Sequence, residues 1–150
     1  MLTVPCESWY HLDSIVTLAA VERLEMEEET AYELLQKGRV LLEEDNPAQA
    51  ALVLERALER VPCKGSILEI LGTAYYRSGR YGDAAGRFEE AVEVDPTNDY
   101  AHYCLGLCYL KLKRKTEAGA HFKIAWFLRP GEIYREKAAR FGVSEADSTG

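Results

Sequence analysis

The chain has no apolar run long enough to span a bilayer, which needs about 20 residues. Its longest, IVTLAAV at 15–21, follows His11 and Asp13 with no basic flank, so it makes a poor signal peptide. Positive charge is scarce too: 18 Lys and Arg face 25 Asp and Glu, a net charge of −7 over 150 residues. That balance argues against sequence-independent binding to nucleic acid or to anionic lipid, both of which need positive charge. The four cysteines, Cys6, Cys63, Cys104 and Cys108, form neither a CxxC nor a framework. Reduced thiols in a cytoplasm are the default for such a set. GxxxxGK, GxGxxG, HExxH and GxSxG are all missing.

What charge there is lies unevenly. Residues 1–64 hold 13 acids and 6 bases, residues 65–98 hold 6 and 3, and residues 99–150 hold 6 and 9. The head is therefore near −7 and the tail near +3, a dipole that can steer a partner or favour antiparallel self-association. A solvated surface without a role explains the same numbers.

Proline is also sparse, with five in all, yet three of them recur at one interval. Pro62, Pro96 and Pro130 lie 34 residues apart, as do Gly38, Gly72 and Gly106. The same shift aligns Ala50, Ala84 and Ala118, then Ala57, Ala91 and Ala125, then Leu54, Phe88 and Phe122, and then Leu41, Tyr75 and Tyr109. Each copy reads as two short helices and a turn. In the middle copy the pattern predicts a first helix over 66–78, a turn at 79–82 and a second helix over 83–94. Leu68, Leu71 and Tyr75 share one helical face. Phe88, Ala91, Val92 and Val94 give the second helix its apolar side, and Pro96 ends the unit. Glycine inside a helix costs about 1 kcal/mol relative to alanine. Its recurrence predicts that Gly72 is a spacer, letting the first helix approach Ala84 and Phe88 closely. Ala91 is expected to face the next hairpin.

The run Leu68, Leu71, Gly72, Tyr75, Ala84, Phe88, Pro96 resembles the L-x2-L-G-x2-Y…A-x3-F…P pattern of the tetratricopeptide repeat. His102, Leu105, Gly106, Tyr109, Ala118, Phe122 and Pro130 form a third copy, and the degenerate first copy is Leu34, Lys37, Gly38, Leu41, Ala50, Leu54 and Pro62. The resemblance, to small bacterial-type members of the family, covers about 31–132. It implies an all-α fold: three helix-turn-helix hairpins at 31–64, 65–98 and 99–132 in a right-handed superhelix. Lys37 stands in an apolar column. Asp45 and Lys113 occupy the turn where the middle copy has Gly79, so those turns are expected to be strained or differently shaped.

Thr30 and Glu33 read as a capping box that separates residues 1–30 from the array. Trp9, Leu12, Val16, Ala19 and Leu24 approximate a helical stripe, with Ile15, Leu18 and Val21 on other sides. Such a helix would cap the first repeat, fill the groove or contact a second copy. At the far end, residues 133–142 read as a polar-backed capping helix with Tyr134, Ala138 and Phe141 inward. Residues 143–150 read as a disordered tail. Phe127 falls where the other copies have Glu59 and Glu93. It is read as covered by the C-terminal helix, the alternative being an interface.

No constellation of catalytic residues is evident, and no cofactor or metal is expected. Cys104 and Cys108 sit one turn apart, but Cys108 aligns with the small Ala74, which marks a buried thiol. His11, His102 and His121 lie in separate segments without partner spacing. His102 occupies a packing column. Lys111, Lys113, Arg114 and Lys115 read as a solvated turn.

The family resemblance implies that the first helix of each hairpin lines a concave groove. Its groove positions carry over to Tyr32, Leu35, Arg39, Leu42 and Glu43, then Ser66, Glu69, Thr73, Tyr76 and Arg77, then Tyr100, Tyr103, Leu107, Leu110 and Lys111. Four tyrosines and four leucines suit a binding surface, since tyrosine offers large contact area at small entropic cost. The chaperone-tail members of the family hold a C-terminal carboxylate with Lys and Asn. Those columns here hold Leu35, Arg39, Ile70, Tyr100 and Cys104, so a mostly apolar ligand is expected instead. The expected function is a non-catalytic, cytoplasmic adaptor or chaperone-like scaffold binding a protein or peptide partner, with no nucleic acid and no membrane. The architecture also resembles the secretion chaperones that hold translocator proteins. The alternative is a self-assembling protein, a possible homodimer, joined through its N-terminal helix or the Trp126–Phe127 surface.

Overall fold

A computed structural model describes residues 29–142. Seven helices follow one another among these residues: α1 Ala31–Glu43, α2 Pro47–Arg60, α3 Gly65–Arg77, α4 Tyr81–Val94, α5 Asp99–Lys111, α6 Lys115–Leu128 and α7 Glu132–Phe141. Each odd helix packs on the even helix after it, making the hairpins α1–α2, α3–α4 and α5–α6, and α7 packs on α6. The even helix of one hairpin packs on the odd helix of the next. The odd helices α1, α3 and α5 also touch in sequence along one side. This makes a helical-repeat superhelix with the odd helices on the inner side of its curve. All of the suggested N-terminal segment 1–30 except residues 29 and 30, and the tail at 143–150, lie outside the described residues.

The recurring glycines are where the paired helices come closest. A Cβ on Gly38 would lie 2.6 Å from Leu54, one on Gly72 2.8 Å from Phe88, and one on Gly106 2.6 Å from Phe122. Real Cβ atoms do not approach that closely, so a hydrogen is required there for the large side chain opposite to close the core. Leu54, Phe88 and Phe122 are essentially inaccessible to solvent. Ala91 clusters with Leu68 and with Ala101 of the next hairpin. Val94 departs from the expected face and is exposed. Six residues beyond Phe88, at 100° per residue, it points well away from the buried stripe.

The turns share one geometry. The amide N–H of Asp45, Gly79 and Lys113 donates to the carbonyl of Leu42, Tyr76 and Leu110, respectively. The following N–H of Asn46, Arg80 and Arg114 reaches back to Leu41, Tyr75 and Tyr109. This is a Schellman ending, which needs a left-handed residue after the helix. Gly79 takes φ 78°, but Asp45 and Lys113 take φ 57° and 62°. The turns without glycine therefore keep the shape and carry the strain. The second helix of the middle hairpin starts at Tyr81, two residues before the expected start. Arg80 Nε donates to Asp83 Oδ2 at 2.8 Å and ties that first turn together.

Tyr75 donates its hydroxyl to Glu55 of the preceding hairpin, and Tyr109 donates to Glu89 Oε1 at 2.5 Å, one repeat on. Arg80 lies over the Tyr75 ring at 4.3 Å and Arg114 over Tyr109 at 4.5 Å. Each tyrosine thus spans an inter-hairpin contact that Leu41 cannot make in the first copy. Lys37 is exposed where the aligned Leu71 is fully buried. Among the described residues, no helix is long and apolar enough to cross a membrane.

Candidate functional site

The inner side is built from α1, α3 and α5, and its most aromatic part lies between α3 and α5. Tyr76 packs edge-on to Tyr81, with ring centroids 5.2 Å apart. Burial raises the Tyr76 pKa, helped by Tyr81, Cys108, Cys104 and Tyr103 nearby. Tyr100 is partly exposed, and its hydroxyl interacts with Thr73 and Cys104. Burial, then the Cys104 thiol, pushes its pKa up to about 12. The Tyr103 ring packs at a tilt against Tyr134 of α7, with centroids 5.0 Å apart, and against Phe122 at 5.8 Å. Burial first, then Cys104 and Glu136, raises its pKa as well. Tyr134 donates its hydroxyl to Asp99 Oδ2 at 2.8 Å, so α7 extends this inner wall beyond α5.

The expected groove residues divide by what they touch. Tyr32 is 69% exposed, and Arg39 is exposed beside it on α1. Leu35 and Leu42 are buried members of the main core cluster, and Tyr76, Tyr103, Leu107 and Leu110 are half-buried against it. The bulk of Leu35 and Leu42 is therefore used in packing. Glu69 Oε1 accepts from Asn98 Nδ2 at 2.5 Å, and Asn98 Oδ1 accepts from the Ala101 amide at the start of α5. Thr73 Oγ1 donates to the Glu69 carbonyl at 2.9 Å. Arg77 donates to the Leu42 carbonyl at 2.8 Å and to Asp45 Oδ1 at 2.7 Å, bracing the strained first turn. Its counterpart Lys111 places Nζ 5.6 Å from the centre of the Tyr81 ring. Glu69, Arg77 and Lys111 thus bind the hairpins to one another. Thr73, Tyr76, Tyr100, Tyr103 and Leu107 remain partly accessible between α3 and α5.

The cysteines there are unsuited to nucleophilic or metal chemistry. Burial pushes the Cys104 and Cys108 thiols up to about 12, so both stay protonated at neutral pH. Among the described residues, no three His, Cys, Asp or Glu gather as a metal site.

One pair went unread in the sequence. His102 is buried, and its Nδ1 lies 3.0 Å from His121 Nδ1. His102 Nε2 lies 3.0 Å from the Pro96 carbonyl, which can only accept, so that nitrogen carries a proton. With both rings neutral, His121 Nδ1–H donates to His102 Nδ1. The same two columns, 19 residues apart, hold the buried Leu34 and Val53 in the first hairpin. Their joint exchange for histidine was the available signal. Phe127 also departs from expectation: it is 84% exposed, at the open edge of the contact between α6 and α7. α7 comes closest to α6 at buried Gly119, where an added Cβ would overlap the Phe141 carbonyl.

The tetratricopeptide repeat profile matches residues 35–81 and 70–133, well over half of the chain. The chain belongs to the tetratricopeptide repeat family. Solved structures agree with that fold. A MamA double mutant (RS-1) superposes with a TM-score of 0.75 at 23% identity, over 84% of this chain and 71% of its own. The first repeat domain of Spaghetti (RPAP3), solved with the HSP90 peptide SRMEEVD, gives 0.72 at 16% identity, over 76% and 91%. YrrB, described as having an unusual peptide-binding site, gives 0.71 at 22% identity, over 78% and 60%.

Proposed function

We propose that this tetratricopeptide repeat protein is a non-catalytic, cytoplasmic interaction module, an adaptor or chaperone-like scaffold. It holds an extended peptide or a helix of a partner protein against the inner side of its hairpins. The observation that carries the reading is the partly accessible cluster of Tyr76, Tyr100 and Tyr103 on α3 and α5, in which Tyr76 and Tyr103 are packed against the core. Rings fixed by packing on one side lose little entropy when a ligand covers the other. The binding surface is assigned to Tyr32, Leu35, Arg39, Leu42, Glu69, Thr73, Tyr76, Arg77, Tyr100, Tyr103, Leu107 and Lys111. Within it, Leu35 and Leu42 back the wall from the core, Glu69, Arg77 and Lys111 hold it in place, and the tyrosines with Leu107 make the contact.

The structural relative bound to SRMEEVD takes an acidic peptide. The ligand here is mostly apolar, because Arg77 and Lys111 are engaged with neighbouring hairpins and the open part of the wall is aromatic. Affinity capture from the native host with wild-type protein and with Tyr76→Ala plus Tyr103→Ala tests this. A partner retained by wild type and lost by the variant supports the groove. Equal retention removes it.

A further inference from the structure

The array ends on an apolar cleft that the groove does not use. Lys123, Trp126 and Phe127 of α6 and Arg135, Ala138 and Ala139 of α7 line a hollow of about 550 Å³. Phe127 is 84% exposed and Trp126 43%. In the first two hairpins the corresponding pairs are Leu58–Glu59 and Val92–Glu93, and both glutamates are exposed. An aromatic ring placed where the repeat otherwise puts a solvated carboxylate is a mark of an interface.

The rim of the cleft is cationic. Lys123 and Arg135 flank it, and Arg135 also pairs with the exposed Glu132. Residues 123–142 carry five bases, Lys123, Arg129, Arg135, Lys137 and Arg140, against Glu132 and Glu136. Two copies meeting patch to patch would therefore oppose like charges. The complement is present elsewhere in the chain. Residues 1–28 carry six acids and one base, together with Trp9, Leu12, Ile15, Val16, Leu18 and Leu24. Among the described residues, α1, which follows that head in the chain, packs on neither α6 nor α7.

We infer that a second copy of the chain docks on this cleft. Its residues 1–28 lie against Trp126, Phe127, Ala138 and Ala139, with its carboxylates facing Lys123 and Arg135. The contact joins two different surfaces, so each pair leaves one head and one tail free. Assembly then grows with concentration and does not stop at a closed dimer. This inference is independent of the groove, which can be right or wrong without affecting it.

Sedimentation velocity on the full chain, over roughly a hundredfold range of concentration, reads the association directly. Phe127→Glu restores the residue of the other two hairpins at an exposed site, and Leu12→Glu with Val16→Glu alters the head. Far-UV circular dichroism checks that each variant is folded. Wild type is expected to grow with concentration, and each variant to remain monomeric alone. A mixture of the two variants is expected to form a one-to-one dimer, because each supplies the half the other lacks. Raising salt from about 0.05 to 0.5 M should weaken the wild-type association by about tenfold.

A wild-type chain that stays monomeric overturns the inference, including by way of a head folded onto its own cleft. Association that survives Phe127→Glu but is lost in Tyr103→Ala overturns it in favour of the groove as the docking site. Variants that fail to complement one another overturn it in favour of a two-fold contact.

Discussion

Gly72→Ala sets two effects of opposite sign against each other. Alanine inside a helix is favoured over glycine by about 1 kcal/mol. The added methyl, however, would sit 2.8 Å from Cε2 and Cζ of Phe88 and 3.0 Å from Cδ2. Phe88 is 1% exposed and enclosed by the core, so its ring has nowhere to retreat. Overpacking of this kind costs about 1–3 kcal/mol. The expected result is a net loss of about 1 kcal/mol. Gly86→Ala, in the middle of α4, is the control, because a Cβ there meets nothing within 4 Å. It should be stabilising by about 0.5–1 kcal/mol, leaving the two substitutions about 2 kcal/mol apart. Urea unfolding of the full chain measures both midpoints, and equal slopes would show that the unfolded states are comparable. If Gly72→Ala stabilises as much as Gly86→Ala does, the spacer argument for all three glycines is wrong.

Three further outcomes follow from the polar contacts. Tyr109→Phe removes the inter-hairpin bond to Glu89 and should cost about 1–2 kcal/mol in the same assay. Stability should also fall in alkali. Burial holds Cys104, Cys108, Tyr100 and Tyr109 near 12, above ordinary values of 9.0 for the thiols and 10.0 for the phenols. The unfolded chain loses these protons first, so the fold is favoured below pH 9 and loses stability from there up to about 12. In acid the sign reverses for His121, whose pKa is lowered by burial and then by His102, against the pull of Glu89 and Glu117. The neutral ring is favoured in the fold, so its contribution is complete above about pH 6.5 and declines below it. His102→Leu with His121→Val, the residues of the first hairpin, should flatten thermal stability between about pH 5 and 7. A profile unchanged by that double substitution would mean that His121 does not titrate with folding.

Much of the fold was legible because three copies in register turn weak local signals into columns. The glycine opposite Leu54, Phe88 or Phe122 is one such column, and the buried thiol at Cys108, aligned with Ala74, is another. What stayed hidden is what the columns do not repeat. The His102–His121 contact stands where the first hairpin has Leu34 and Val53 and the second has Leu68 and Arg87, and Phe127 interrupts a column of glutamates. Helix starts were displaced where the first turn is held by an Arg80–Asp83 pair and no side chain caps it. On the inner wall, column position separated inner from outer helices but could not tell packing from availability. Leu35 and Leu42 sit in groove columns and are buried, and Arg77 reaches back across a hairpin boundary to Asp45. Those distinctions depend on how neighbouring hairpins are spaced, which no single copy encodes.

The central claim is that the inner wall between α3 and α5 holds a partner peptide. Photo-crosslinking amino acids placed singly at Thr73 and Leu107, with outer-face controls at Leu52 and Ile124, test it most directly when the adducts are sequenced by mass spectrometry. The account predicts one partner segment, rich in apolar residues, joined to both inner positions and to neither outer one. Adducts of equal yield on the outer helices, or none at Thr73 and Leu107, would contradict it.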